Sequence, residues 1–144
     1  MVGTSGGALS GPREAFERFR DMVLAGGAEG LESLLADDGV VEVPFAPPGA
    51  PRRIEGREAF AASAVPRRQA LAEHVRFTAV RDVVVHQTDD PEVAVVEYAV
   101  EGVRVADGLR AAAPFAVVVQ VRNGEVVLWR EYQDPAAMAL TAAQ

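Results

Sequence analysis

The sequence predicts a single α+β domain in which helices come first and an antiparallel sheet follows. Apolar residues recur at helical spacing in the N-terminal half, whereas the C-terminal half consists of long runs rich in β-branched residues. Turn-forming dipeptides separate these runs, and Asn123-Gly124 is the strongest short signal for a tight hairpin. Helices followed by a strand meander are typical of a domain that packs its helices on one face of the sheet.

The helical part divides into three predicted helices. The first begins at Ser10-Gly11-Pro12, where proline is tolerated in the first turn, and it ends at Gly26-Gly27. A second, shorter helix carries the leucines between Leu31 and Leu35. The third begins at Gly56, and we expect Pro66 to end or kink it because proline cannot donate a backbone hydrogen bond.

The strands follow in a regular order. Asp37-Asp38 is predicted to form a solvated turn, and a short strand then runs from Gly39 to Ala46, where Val43 and Phe45 share a face. Prolines between residues 47 and 51 predict a stiff loop that cannot pair in a sheet. Further strands are predicted for His74–His86, Val93–Val105, Leu109–Arg122 and Val126–Pro135.

The last strand contains the best candidate for acid–base chemistry. Alternation places Trp129 and Glu131 on one face, so that a carboxylate lies beside an indole in an otherwise apolar run. A two-residue turn at Asn123-Gly124 pairs Val118 with Trp129 and Ala116 with Glu131. These four side chains are therefore predicted to share a face.

The opposite face of this hairpin is also predicted to be apolar. Helices from one small chain cover only one face of a sheet, so we expect a homodimer through the other face. The predicted contact residues are Phe115, Val117, Val119, Leu128 and Tyr132. A monomer in sedimentation at micromolar concentration would contradict this expectation.

Composition excludes several function classes. The net charge is −7, so the chain lacks the basic field needed for non-specific binding to nucleic acid, and acidic membrane surfaces are disfavoured too. The chain has no cysteine, and its 14 basic residues are all arginine, which excludes thiolate and Schiff-base chemistry. His74 and His86 lie too far apart on one predicted strand to share an ion. We therefore predict neither a metal nor a cofactor.

The chain has no apolar run long enough for a transmembrane helix, and its first residues do not resemble a signal peptide. A cytoplasmic protein is the default expectation. Residues 1–10 are predicted to form a flexible lead, and residues 11–144 a single domain.

Four stretches resemble the SnoaL-like polyketide cyclase group of the nuclear transport factor 2-like (cystatin-like) superfamily. They are Leu35–Pro44, Gly56–Phe60, Val96–Gly102 and Trp129–Pro135. The resemblance implies a cone-shaped, curved antiparallel sheet wrapped around N-terminal helices, with an apolar pocket inside and usually a dimer. It does not imply one activity, since this fold hosts unrelated chemistries.

The resemblance to ketosteroid isomerases does not extend to their catalytic groups. The base, the tyrosine and the protonated aspartic acid of those enzymes fall on Val43, Phe19 and Val118. Hydrocarbon side chains neither transfer a proton nor donate to an oxyanion. Steroid isomerisation by that mechanism is therefore excluded.

This sequence retains one catalytic group from each of two other classes of the superfamily. The Asp-Arg-Asp set of limonene-type epoxide hydrolases falls on Glu131, Tyr98 and Val100, so one of its three groups is retained. Phenazine-biosynthesis A/B-type proteins place a catalytic glutamate at Glu131, but their helix histidine falls near Ser63. Glu131 is thus the acid or base that the resemblance implies.

The predicted function is binding of a small hydrophobic or aromatic molecule. If the protein is an enzyme, we expect cofactor-free isomerase, cyclase or hydrolase chemistry with Glu131 as the catalytic acid or base. A non-catalytic binding or dimerisation module is the alternative, which the isolation of this carboxylate favours. The predicted pocket wall comprises Phe19, Val43, Phe45, Phe60, Tyr98, Val100, Ala116, Val118 and Trp129.

One part of this wall has two alternatives. A strict two-residue turn at Asp107-Gly108 places Glu97 and Glu101 on the face of Glu131, whereas the family resemblance places Tyr98 there.

Overall fold

The computed structural model describes residues 7–137 and has the predicted α+β architecture. Its elements are α1 (Pro12–Leu24), β1 (Leu35–Glu42), β2 (Arg53–Glu55), α2 (Arg57–Ala72), β3 (Val75–Gln87), β4 (Val93–Arg104), β5 (Arg110–Arg122) and β6 (Glu125–Gln133). The strands form one curved six-stranded sheet in the order β2-β1-β6-β5-β4-β3. Strand β1 runs parallel to β6, and the other neighbours are antiparallel.

The two ends of the predicted domain lie partly outside the described residues. Residues 1–6 of the predicted lead and residues 138–144 of the predicted domain are not among the described residues. Within the described part, Leu9 is buried and its N–H donates to the carbonyl of Gly124 at 2.9 Å. The chain thus packs against the turn between β5 and β6 from Leu9 onward. No helix among the described residues is long and apolar enough to cross a membrane.

The predicted second helix is wrong. Only a 3-10 turn, Leu31–Ser33, forms there, and Leu35 already belongs to β1. Leu34 accepts a backbone hydrogen bond from Val126 at 2.9 Å, so this segment pairs with β6 instead of continuing a helix. Leu31, Leu34 and Leu35 are all buried, which explains their apolar pattern without a helix.

Helix α2 continues past Pro66 to Ala72, so of the two alternatives for Pro66, an end or a kink, the end is wrong. Arg68 anchors its C-terminal half to the segment after α1, because its guanidinium donates to both carboxylate oxygens of Glu32, at 3.0 and 2.5 Å, and to the carbonyl of Gly27 at 2.9 Å. Gly30 permits this approach, since a Cβ there would lie 1.8 Å from the Arg68 guanidinium.

Strand β1 begins at Leu35, earlier than predicted. Asp37 and Asp38 therefore lie within the strand, at an irregularity where its register against β6 shifts. Asp37 forms an exposed ion pair with Arg57 at the start of α2. The short strand β2 is not predicted from the sequence.

The predicted hairpins are present, and Asn123 and Gly124 both have positive φ angles, 54° and 79°, as a tight turn of this kind requires. A β-bulge then changes the predicted register. Val121 lies opposite Val126, but Gln120 lies opposite Leu128, so Val127 is an extra residue in β6. A one-residue shift moves every later side chain to the other face.

Because of the bulge, two groups of residues lie on a different face of the sheet from the one predicted. Glu131 lies opposite Val117 and Trp129 opposite Val119, so Ala116 and Val118 face away from Glu131 on the outer surface. Val117 and Val119 are fully buried on the inner face, and Phe115 packs against the same core, so these three are not on the predicted dimer face. Leu128 and Tyr132 do lie on the outer face, as predicted. Homodimerisation itself stays a prediction.

The same bulge decides between the two alternatives for β4. Strands β4 and β5 are joined by a loop of five residues, 105–109, and Tyr98 lies opposite Phe115 on the inner face. Tyr98 and Val100 therefore share the face of Glu131, whereas Glu97 lies opposite Ala116 on the outer face.

Candidate functional site

A cavity of about 930 Å³ lies between the inner face of the sheet, the end of α1 and helix α2. Six predicted site residues line it, namely Phe19, Val43, Phe45, Phe60, Trp129 and Glu131. Phe45 is 53% exposed and lies at the rim, whereas Phe60 is 8% and Trp129 1% exposed. Aromatic side chains therefore line the wall from the rim to the interior.

An aromatic cluster includes two residues of the cavity wall, Phe19 and Trp129. Helix α1 contributes Phe16 and Phe19, which lie 4.9 Å from the ring of Tyr98 and 4.7 Å from that of Trp129, respectively. On the other side of Tyr98, the ring of Phe115 is stacked at 5.4 Å. Rings in contact on several sides leave the strand side chains little freedom, so the cluster holds the residues next to Glu131 in place.

Two neutral donors converge on one oxygen of Glu131. The Tyr98 hydroxyl and the Trp129 indole N–H both donate to Glu131 Oε1, each over 3.4 Å. Glu131 Oε2 accepts no hydrogen bond from residues 7–137 and is not a buried unpartnered atom, so it is accessible from the cavity. The two hydrogen bonds to Oε1 thus hold the carboxyl group in place, and Oε2 remains available to a ligand in the cavity.

The surroundings change the acidity of both groups. Burial raises the pKa of Glu131 above its ordinary value of 4.5, and the hydrogen bonds from Trp129 and Tyr98 and the charge of Arg67 offset only part of this effect. Burial, with the nearby Glu131 charge, raises the pKa of Tyr98 well above 10.0. Tyr98 therefore stays neutral and remains a donor. Because Tyr98 does not line the cavity, it acts as a positioning residue for Glu131.

Three arginines on the wall are not among the residues predicted from the sequence. They are Arg67, Arg68 and Arg76. Two of them lie beyond Pro66, where the helix was expected to end or kink. The spacing of Phe60, Ala64, Arg67 and Leu71 continues the stripe of α2 through the proline and was the available signal.

The remaining predicted residues do not reach the cavity. Val100 lies on the inner face but does not line the cavity, and Ala116 and Val118 lie on the outer face. His74 and His86 lie at opposite ends of β3. Within residues 7–137, no three His, Asp or Glu side chains are grouped closely enough to hold a metal ion.

Comparison with known proteins places this architecture in a family. The family model of the SnoaL-like domain matches residues 16–129, which include the cavity wall from Phe19 to Trp129. The chain belongs to the SnoaL-like family. It is 37% identical over 112 residues to the uncharacterized PhzA/B-like protein PA3332 of Pseudomonas aeruginosa, covering 76% of this chain and 74% of that protein.

Solved structures show the same SnoaL-like fold. A putative isomerase from Bacillus subtilis superposes with a TM-score of 0.79 at 22% identity, covering 92% of each chain. A putative polyketide cyclase from Xanthomonas campestris pv. campestris has a TM-score of 0.69 at 21% identity, covering 90% of this chain and 95% of that one. At these identities the likeness establishes the nuclear transport factor 2-like fold alone.

Proposed function

We propose that this SnoaL-like domain binds a small hydrophobic or aromatic molecule in its cavity and exchanges a proton with it through Glu131. The observation that carries the proposal is the asymmetry of this carboxyl group. Oε1 accepts hydrogen bonds from two neutral donors, Oε2 accepts none from the described residues, and Glu131 lines a cavity of about 930 Å³. Cavities of this size accommodate drug-sized ligands.

The environment of Glu131 supports both directions of proton transfer. A pKa raised by burial keeps a larger fraction of the carboxyl protonated near neutral pH than an exposed glutamate would have. The neutral acid can donate to a ligand oxygen, and the carboxylate can remove a proton from a ligand carbon. Isomerisation, cyclisation and dehydration each require such a transfer, so we propose cofactor-free chemistry of this class.

A non-catalytic binding module is the second candidate. It is favoured by the same two hydrogen bonds, because Tyr98 and Trp129 satisfy Glu131 Oε1 without any ligand. Among the described residues that line the cavity, only Glu29 offers another carboxylate, and it is exposed. Binding without turnover is the outcome that separates this candidate from the first.

The test uses 5-nitrobenzisoxazole, a small aromatic whose ring opens when a base removes its C3 proton. The C–H electrons form the nitrile, the N–O bond breaks, and the phenolate product is followed by its absorbance. We expect Glu131→Gln to slow this reaction at least about 100-fold, the usual size of a general-base contribution. The change keeps the shape of the side chain and removes its basicity.

Glu125→Gln is the matched control, because Glu125 lies on the same strand, is exposed and does not line the cavity. Quenching of Trp129, the only tryptophan of the chain, reports binding independently of turnover. Equal rates for the protein and its Glu131→Gln variant would contradict the proton-transfer role. Quenching without any acceleration would favour the binding module.

A further inference from the structure

Arg67 and Arg68 are neighbours in sequence but have different environments. All three nitrogens of the Arg68 guanidinium donate hydrogen bonds, two to Glu32 and one to the carbonyl of Gly27. Arg67 uses only its Nε, which donates to the carbonyl of Ser63 at 3.3 Å. Its two terminal nitrogens have no hydrogen-bond or ion-pair partner within residues 7–137, although the side chain lines the cavity.

The charge of Arg67 also acts on the interior of the cavity. It lowers the pKa of Glu131 against the effect of burial, yet the two groups do not form a direct ion pair. Arg67 is thus an exposed residue of α2 that lines the same cavity as Glu131 without pairing with it. Such an arrangement offers one site for a negative group and another for a proton-transferring reaction.

The cavity wall carries a second arginine that could attract an anion. Arg76 lines the same cavity, is exposed and has no ion-pair partner in the described part of the chain. Glu32 neutralises Arg68, and the wall carboxylates are Glu29 and Glu131. In a chain with a net charge of −7, this cavity therefore offers two arginines without an ion pair among the described residues as partners for an anion, beside the carboxylates of Glu29 and Glu131.

We propose, on the basis of the proposed function above, that the ligand is a small apolar acid whose ionised group binds to Arg67. Its hydrocarbon or aromatic body then lies against Phe19, Phe60 and Trp129. A guanidinium pairs with a carboxylate or a sulfonate through two parallel N–H···O bonds, so it selects and orients an anion that offers two acceptor oxygens. Anchoring at Arg67 directs the opposite part of the molecule to Glu131.

Two fluorescent probes with the same ring skeleton test this assignment. 1-Anilinonaphthalene-8-sulfonate carries one anionic group, and N-phenyl-1-naphthylamine lacks it. Energy transfer from Trp129 to either probe reports binding next to the cavity wall, since Trp129 is the only tryptophan of the chain. We expect Arg67→Gln to weaken sulfonate binding about tenfold, as for one lost charge-assisted contact. The affinity for the neutral probe should stay within about twofold, because only the sulfonate contacts Arg67.

Arg13→Gln is the matched control, since Arg13 is an exposed helix residue that does not line the cavity. Added salt should weaken the sulfonate complex of the unmodified protein more than that of Arg67→Gln. The assignment would be overturned if Arg67→Gln weakened both probes equally, if Arg13→Gln had the same effect, or if the unmodified protein did not prefer the sulfonate. Absence of energy transfer with both probes would instead contradict the apolar binding site of the proposed function.

Discussion

Glu42 and Glu131 lie on neighbouring strands of the same sheet but point to opposite faces. Glu42, on β1, lies opposite Arg130 in the register with β6 and faces outward, whereas Glu131 faces the cavity. Arg130 donates to Glu42 Oε1 at 2.6 Å, and Arg53 donates to Oε2 at 2.5 Å. From the described part of the chain, Glu131 receives only the two neutral donors, each at 3.4 Å.

The two environments shift the two pKa values in opposite directions. The hydrogen bond from Arg130, followed by that from Arg53, lowers the pKa of Glu42 below its ordinary value of 4.5. Burial without a direct cationic partner raises the pKa of Glu131. Charged donors compensate an ionised carboxylate for lost water, and neutral donors do so only in part. The face of the sheet therefore determines whether a glutamate is structural or available for chemistry.

The largest expected difference between the two faces concerns Val117 and Val118. Val117 is fully buried on the inner face, and Val118 is partly exposed on the outer face. Val117→Thr buries a hydroxyl with no change in shape and should lower the free energy of unfolding by about 1–3 kcal/mol. Val118→Thr should change it by at most about 0.5 kcal/mol. Urea denaturation of both variants measures the difference. A larger loss of stability for Val118→Thr than for Val117→Thr would support the register without a bulge.

A smaller effect is expected at Glu42. Glu42→Gln removes the charge that pairs with Arg130 and Arg53, and should cost about 1 kcal/mol at neutral pH, since the pairs are partly exposed. Because the folded pKa is lowered, the stabilisation is present above pH 4.5 and is lost as the pH falls through the folded pKa. Denaturation at several pH values measures this loss. A cost that stays constant under acidic conditions would contradict the pairing.

The smallest effect, with the opposite sign, is expected from Glu131→Gln. The folded pKa of Glu131 is raised, so its contribution to stability is full below pH 4.5 and decreases as the pH rises through the folded value. The glutamine variant should therefore be more stable than the unmodified protein at neutral pH and nearly equal to it under acidic conditions. Thermal unfolding across this pH range measures the difference. A variant that is less stable at neutral pH would show that the Glu131 charge is well solvated.

Much of the fold could be predicted from local signals. Asn123-Gly124 correctly predicted the turn of the last hairpin, and runs of β-branched residues correctly predicted strands β3 to β6. The register of that hairpin could not be predicted, because a bulge at Val127 depends on how β6 packs against both β5 and β1. One extra residue exchanged the predicted inner and outer side chains of β5.

The site was predictable where one strand carries it. Trp129 and Glu131 are two residues apart on β6, and alternation alone places them on one face. Arg67 could not be placed in the same way, because it lies on the part of α2 beyond Pro66. That part is held by the contact of Arg68 with Glu32, a tertiary interaction between residues 36 positions apart.

The most direct test of the account is an NMR titration of the side-chain carboxyl groups of Glu131 and Glu42 in one sample. Each group serves as the internal reference for the other, under the same salt and temperature. The account predicts a midpoint above 4.5 for Glu131 and one below 4.5 for Glu42. A Glu131 midpoint at or below that of Glu42 would contradict the claim that the inner face prepares this carboxyl for proton transfer.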